Sequence, residues 1–269
     1  MKFLRSLKAN FMKTKRTPFR YIILLVPILF SLLFVSYISV YKRDYTFQLK
    51  VYEIYFGVVS LTLPLISAIL IGLNIMGEES SGEFRGLLMT PISRSTIYLS
   101  KLFMIILVTI IDMFVSLFIL LIGMKFLYPL GTIQYGVFLT GTILTILGCL
   151  FLYGLYIIIS LKFGIGATIA VGVGGSIIGA LLQTGLGDTI WPFVPFAWSG
   201  RISTVPIYKL SNFIKYQHLE NQSNIQEILN TTFKQYMCLG VPIAIISFII
   251  ICVIGVLWFN KWEGRKAIN

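Results

Sequence analysis

Residues 54 to 76, IYFGVVSLTLPLISAILIGLNIM, and residues 102 to 124, LFMIILVTIIDMFVSLFILLIGM, are two apolar runs of 23 residues each. Between them lies the polar stretch GEESSGEFRGLLMTPISRSTIYLSK, 77 to 101. A helix rises about 1.5 Å per residue, so about 20 apolar residues cross the roughly 30 Å of bilayer hydrocarbon. Both runs are long enough to span a membrane, and together they hold one charged residue, Asp112. Working outward, four more uncharged runs appear at 21 to 41, 134 to 160, 165 to 186 and 237 to 259. A helix satisfies its own backbone where there is no water to do so. The expected fold class is therefore an all-α polytopic membrane protein with six transmembrane helices.

Composition agrees. The chain is 57% hydrophobic and 12% charged, against about 25% charged in soluble domains. Its 22 Lys and Arg outnumber 10 Asp and Glu, and in a membrane protein that excess points to anionic lipid as a partner rather than nucleic acid. Cys149, Cys238 and Cys252 lie in apolar stretches without CxxC spacing, and His218 is the single histidine, so no disulfide framework or zinc site is expected. No GxxxxGK[ST] phosphate loop occurs, and the glycines from Gly164 to Gly187 complete no GxGxxG. The chain is not expected to be an enzyme or to bind a cofactor itself.

Orientation follows from the basic residues, which concentrate on the cytoplasmic side. With residues 1 to 20, 77 to 101, 161 to 164 and 260 to 269 inside, that side carries fourteen Lys and Arg against eight outside. Both termini are expected in the cytoplasm, as for a multi-pass protein of the plasma membrane. The first run is too long for a signal-peptide core and no small-x-small cleavage site follows it. Residues 1 to 20 place Phe3, Leu4, Leu7, Phe11 and Met12 near helical spacing among Lys and Arg, the pattern of a helix lying on the inner leaflet. The organisation expected is an interfacial amphipathic helix at 1 to 20, a six-span domain at 21 to 259 and a cytoplasmic tail at 260 to 269. On the fifth run, small residues including Gly172, Gly175, Ser176 and Gly179 form a stripe that lets helix backbones approach. Such a stripe serves either a subunit interface or packing within one chain.

The 77 to 101 loop reads as helix, turn, helix. Phe84, Leu87 and Leu88 stand at i, i+3 and i+4 on one apolar face. Glu78, Glu79 and Glu83 fall in what reads as the first turns, where carboxylates suit a helix N-terminus. Pro91 breaks the chain before Arg94 and Lys101 lead into the third run. In Glu79, Gly82, Leu87, Leu88, Pro91, Arg94 and Lys101, at the junction of the second and third of six spans, the sequence resembles ABC-2 type transporter permeases. The resemblance implies that the loop is a coupling helix docking on a separate ABC ATPase subunit, with ATP bound by that partner, and that a second permease subunit, the same or homologous, completes the transporter. GEESSGEFRGLL and the external WPFVPFAWSGR, Trp191 to Arg201, look most like the permeases of lantibiotic immunity. That likeness implies outward transport of an amphiphilic cationic peptide antibiotic. Arg85-Gly86 departs from the acidic residue many relatives carry before the Leu pair.

Two further features bear on function. Asp112 sits mid-span, where a carboxylate costs about 2.5 to 3.5 kcal/mol on insertion scales. It is either bonded within the bundle or placed on a substrate or proton path. Gly185-Leu186-Gly187-Asp188 is a literal GxGD and resembles the signature of intramembrane aspartyl proteases, but such an enzyme needs two carboxylates sharing a proton. Asp112 lies about 15 Å from either end of its span, too deep to meet Asp188. A GxGD protease and a proton-coupled carrier using Asp112 are the rival readings. After the fifth run, Trp191, Phe193, Phe196 and Trp198 are either interfacial aromatics or, as the resemblance implies, a re-entrant hairpin along the substrate path.

The six-span count makes a direct prediction. With the native cysteines replaced, single cysteines at Ser81 and Ser223 label from opposite sides in intact cells, Ser223 from outside; labelling of both from outside contradicts the topology.

Overall fold

The computed structural model describes residues 2–15, 17–82, 84–129, 131–210, 213 and 225–264. Glu83, His218 and Ser223 lie outside the described residues. Among those described the chain is helix and turn, without a strand. Six helices are long and apolar enough to cross a membrane, and they fall on the six runs.

Helix α1 covers Lys2–Lys13. Helix α2, Pro18–Ile38, starts on a proline whose fixed φ and missing N–H suit the first turn. Helix α3 is Phe47–Ser80, and α4 is the single turn Arg85–Leu88. Helix α5, Arg94–Leu127, begins after Ser93, whose side chain accepts from the Thr96 amide. Helix α6 is Tyr135–Phe163 and α7 is Ile165–Leu182. Only Gly164 separates these two, at φ +92°, a conformation that favours glycine. Helix α8 is Pro195–Thr204 and α9 is Ile225–Lys261. At 34 residues each, α3 and α5 are about 50 Å long. They therefore outreach the hydrocarbon, and their polar ends project from it.

The reading of 77 to 101 as two helices around a turn needs correction. Glu78 and Glu79 close α3 rather than open a new helix. The chain then turns through Gly82 at φ +133° and Phe84 at φ +65°. A positive φ is costly at Phe84, and its buried ring, 5.0 Å from that of Trp262, holds it there.

Helix α6 is the scaffold. It packs on α3, α5, α8 and α9, and the close approaches occur at its glycines. A Cβ at Gly141 would meet the Tyr52 hydroxyl and the Phe56 ring; one at Gly148 would lie 2.5 Å from the Ser199 Cα and N. Gly148 is thus the point where the backbone of α8 crosses α6. Hydroxyls along the spans turn back on their own helix, as Thr142 Oγ1 does to the Phe138 carbonyl and Thr145 Oγ1 to that of Gly141. These two threonine hydroxyls are satisfied there without water. Around Tyr55 the bonding crosses helices: Ser116 Oγ of α5 is 2.8 Å from both Ser31 Oγ of α2 and the Tyr55 hydroxyl of α3.

Helix α1 is amphipathic, but not solely toward lipid. Ser6, Asn10 and Thr14 are buried at i, i+4, i+8. Ser6 Oγ lies 2.7 Å from Ser100 Oγ of α5, and Asn10 Nδ2 donates to that oxygen at 3.0 Å. Phe3 packs on Phe103, while Leu4, Phe11 and Met12 face outward beside Arg5 and Lys8. A polar-small stripe fastens the helix to the bundle, and its exposed apolar and basic residues lie off that stripe.

Because the nearest atoms at Gly148 are backbone, Gly148→Ala forces α8 away from α6. Overpacking of this kind costs about 1–3 kcal/mol. The variant is expected to melt several degrees below the parent in nanodiscs, whereas Gly174→Ala, whose Cβ would meet nothing within 4 Å, leaves the melting temperature unchanged.

Candidate functional site

The candidate site lies at the end of the bundle where α3 ends and α5 begins. Glu78 is two residues from the C-terminal end of α3, where the helix dipole disfavours a carboxylate. Its oxygens accept from two cations: Lys101 Nζ of α5 at 2.9 Å and Lys13 Nζ of α1 at 3.0 Å. Lys101 is 4% exposed and also donates to Asn74 Oδ1 at 3.1 Å. Lys13 is about half exposed. A cleft of about 440 Å³ opens beside the cluster, with Thr14, Thr17, Asn74 and Ser81 on its walls.

Arg94 has the opposite problem, a cation at the first turn of α5. It donates through Nη1 to the carbonyls of Asn260 and Trp262, at 3.0 and 2.7 Å, and so caps the C-terminal end of α9. Ser95 Oγ adds a bond to Asn260 Oδ1 at 3.1 Å. Phe84 and Leu87 are buried, Phe84 against Trp262, so the apolar face read from the sequence turns inward. Leu88 is half-buried. Among the described residues between α3 and α5, Ser81, Gly82, Met89, Thr90, Pro91 and Ser93 are exposed. Met89, 80% exposed, is the one large apolar side chain among them.

The small-residue stripe of α7 also meets its own chain. A Cβ at Gly172 would lie 2.5 Å from the Ala68 Cβ of α3, one at Gly175 would run into the Phe196 ring, and one at Gly179 would lie 2.6 Å from the Phe196 carbonyl. The glycines admit α3 and α8, which is packing within one chain, the second of the two uses the stripe allows. Ser176 is half-buried on the same helix, and Ile177 and Ile178 face outward.

Helix α8 turns back into the bundle between α3, α6, α7 and α9. Trp191 is buried and stacks on Tyr236 at 5.4 Å. Trp198 is buried, with its indole N–H donating to the Pro192 carbonyl at 3.1 Å. Phe196 fills the hollow over Gly175. Only Phe193, 84% exposed, faces outward, beside a cavity of about 680 Å³ between α6, α9 and the turn before α8. Arg201 holds this end together. It donates through Nε to the Leu182 carbonyl at 2.7 Å, capping α7, and pairs through Nη1 with Asp188 Oδ1 at 2.7 Å.

Asp188 is thus engaged by Arg201, while Asp112 faces a separate apolar pocket between α2, α3 and α5. The two carboxylates of a GxGD protease are not brought together. Among the described residues no group of three or more His, Cys, Asp or Glu could hold a metal. What the geometry shows is a set of tied helix ends beneath an exposed turn.

Sequence reasoning missed Glu78–Lys101–Lys13 as a unit, with Asn74 beside it, and separately the role of Arg201 at the end of α7. The available signal was a pair of opposite charges, Glu78 and Lys101, each just past a span end on the same side. A family model described as ABC-2 family transporter protein matches residues 6–183, from α1 through α7 and well over half of the chain. No curated protein and no solved structure matches. The chain therefore belongs to the ABC-2 family: it is a multi-pass membrane permease, the transport component of a system whose partner is an ABC ATPase.

Proposed function

We propose that this permease is an exporter subunit of the plasma membrane, with both termini in the cytoplasm, that expels an amphiphilic cationic peptide antibiotic of the lantibiotic kind and so protects the cell that makes or meets it. The ATPase binds ATP and docks on the turn between α3 and α5; a second permease subunit, the same or homologous, completes the path. The observation that carries this reading is the turn itself. Met89, Thr90 and Pro91 stand exposed on a base formed by Phe84, Leu87 and Trp262. That base is fixed in turn by the Glu78 cluster on one side and the Arg94 cap on the other. An exposed methionine on a rigid turn is suited to an adaptable apolar contact with a partner, and a rigid base transmits force where a solvated loop would absorb it. Glu79 and Gly82 flank the same surface. The basic N-terminal helix and the inside excess of Lys and Arg support the orientation, and the resemblance of residues 191 to 201 supports the choice of cargo.

The experiment is substitution on the turn in cells that also express the ATPase. Met89→Glu is expected to reduce co-purification of the ATPase at least tenfold and to abolish resistance to the peptide, with expression and melting temperature unchanged. Arg94→Ala is expected to lower the melting temperature as well, because it uncaps α9. Full resistance and normal ATPase binding in Met89→Glu would contradict the docking assignment.

A further inference from the structure

We propose that the pocket between α2, α3 and α5 binds the cationic head group of a membrane amphiphile, with Asp112 as its counter-ion. The proposal rests on the exporter reading for its biological sense, but its structural grounds are separate. The pocket has a volume of about 120 Å³, with Pro27 and Phe30 of α2, Leu63 and Ile66 of α3, and Asp112 and Ser116 of α5 among its walls.

One polar group in those walls stands apart from the rest. Thr62 Oγ1 donates to the Val58 carbonyl at 3.0 Å. Ser116 Oγ is engaged by Ser31 and Tyr55, each at 2.8 Å, and the Pro27 carbonyl accepts from Ser31 Oγ at 2.7 Å. No hydrogen bond or ion pair within the described residues reaches the Asp112 carboxyl. It is the unmatched polar group of an otherwise apolar pocket in the middle of a span, where unmatched ionisable groups are rare and mark binding or ion paths.

The chain has no cation to offer it, because none of the six apolar runs contains Lys or Arg. The match has to come from outside. A divalent metal ion is a poor candidate, since it requires six or more oxygen ligands and the walls are largely hydrocarbon. A proton neutralises the carboxyl but leaves the cavity empty. An ammonium carrying methyl or methylene groups meets every condition: it pairs with the carboxylate, it can lie against the Phe30 ring face as a cation–π partner, and its carbons are received by Leu63 and Ile66. Next to the pocket, the outward face of α2 presents Leu25, Ile28, Leu29 and Leu32, an apolar track along which an attached tail can lie. The ligand class is therefore an alkylammonium amphiphile, reached from within the bilayer.

The test uses the full chain in nanodiscs of phosphatidylglycerol, a lipid without an ammonium group, with dicyclohexylcarbodiimide as the probe of Asp112 and peptide mass spectrometry as the readout. Asp112 is expected to be modified. Dodecyltrimethylammonium is expected to slow that modification at least tenfold, while dodecyl maltoside, with the same tail and a neutral head, leaves it unchanged. Ile66→Trp, which fills the pocket and retains the carboxyl, is expected to abolish protection by the cation. Equal protection by both amphiphiles would mean that the tail alone is recognised. No protection by either, or no modification of Asp112 at all, would equally overturn the proposal. None of these outcomes bears on ATPase binding by the turn, so failure of the site and failure of the exporter reading are told apart by the Met89→Glu variant.

Discussion

A single carboxylate holds the ends of three helices together. Glu78 stands where α3 leaves the apolar layer and accepts from Lys101 on α5 and Lys13 on α1. Taking a lysine as buried as Lys101 away from water is expensive, and its pairing repays that cost only while the geometry is kept. Removing one partner from a buried pair typically costs about 3–5 kcal/mol, because the other is left uncompensated. The cluster thus specifies one arrangement of α1, α3 and α5 more than it adds stability. The turn that follows α3 inherits its position from that arrangement, and Arg94 ties the start of α5 to the end of α9. Four helices therefore meet the exposed turn as one body.

Within the apolar layer the governing constraint is different. Lipid offers no hydrophobic drive for helix association, so the helices are held by close packing and internal hydrogen bonds. Glycines at 141, 148, 172, 175 and 179 mark the contacts where a larger side chain would collide with a neighbour. Most admit α8 or the aromatic residues around it. The short helix is thus as much a core element as the spans, and it carries Arg201 to the end of α7, where the side chain caps the helix and engages Asp188.

The six spans were legible because an apolar run of about 20 residues has few competing explanations. Their ends were harder to read. The shift to polar residues at Gly77 looks like a helix start when only dipole preference is considered, yet α3 runs on to Ser80 because Lys101 and Lys13 neutralise the carboxylate at its end. Residues 84 to 88 carry a helical apolar face, and the chain uses it for one turn pressed onto Trp262. Periodicity identified the α7 stripe but could not say what lies against it; the answer is Ala68 of α3 and Phe196 of α8, both remote from the stripe in sequence. Asp112 was conspicuous by its depth, whereas the engagement of Ser116 by Ser31 and Tyr55, which helps leave it unmatched, depends on three helices meeting. The depth argument that kept Asp112 from Asp188 needed only the rise per residue, and Arg201 supplies the second reason.

The claim that Glu78 fixes the base beneath the turn is tested most directly by hydrogen exchange in nanodiscs, comparing the parent with Glu78→Gln. The account predicts that amides of α1 and of residues 75 to 80 exchange at least tenfold faster in the variant, while those of α6 keep their protection. Unchanged exchange in α1 would show that Ser6, Asn10 and the apolar contacts hold that helix without the ion cluster, and would contradict the account.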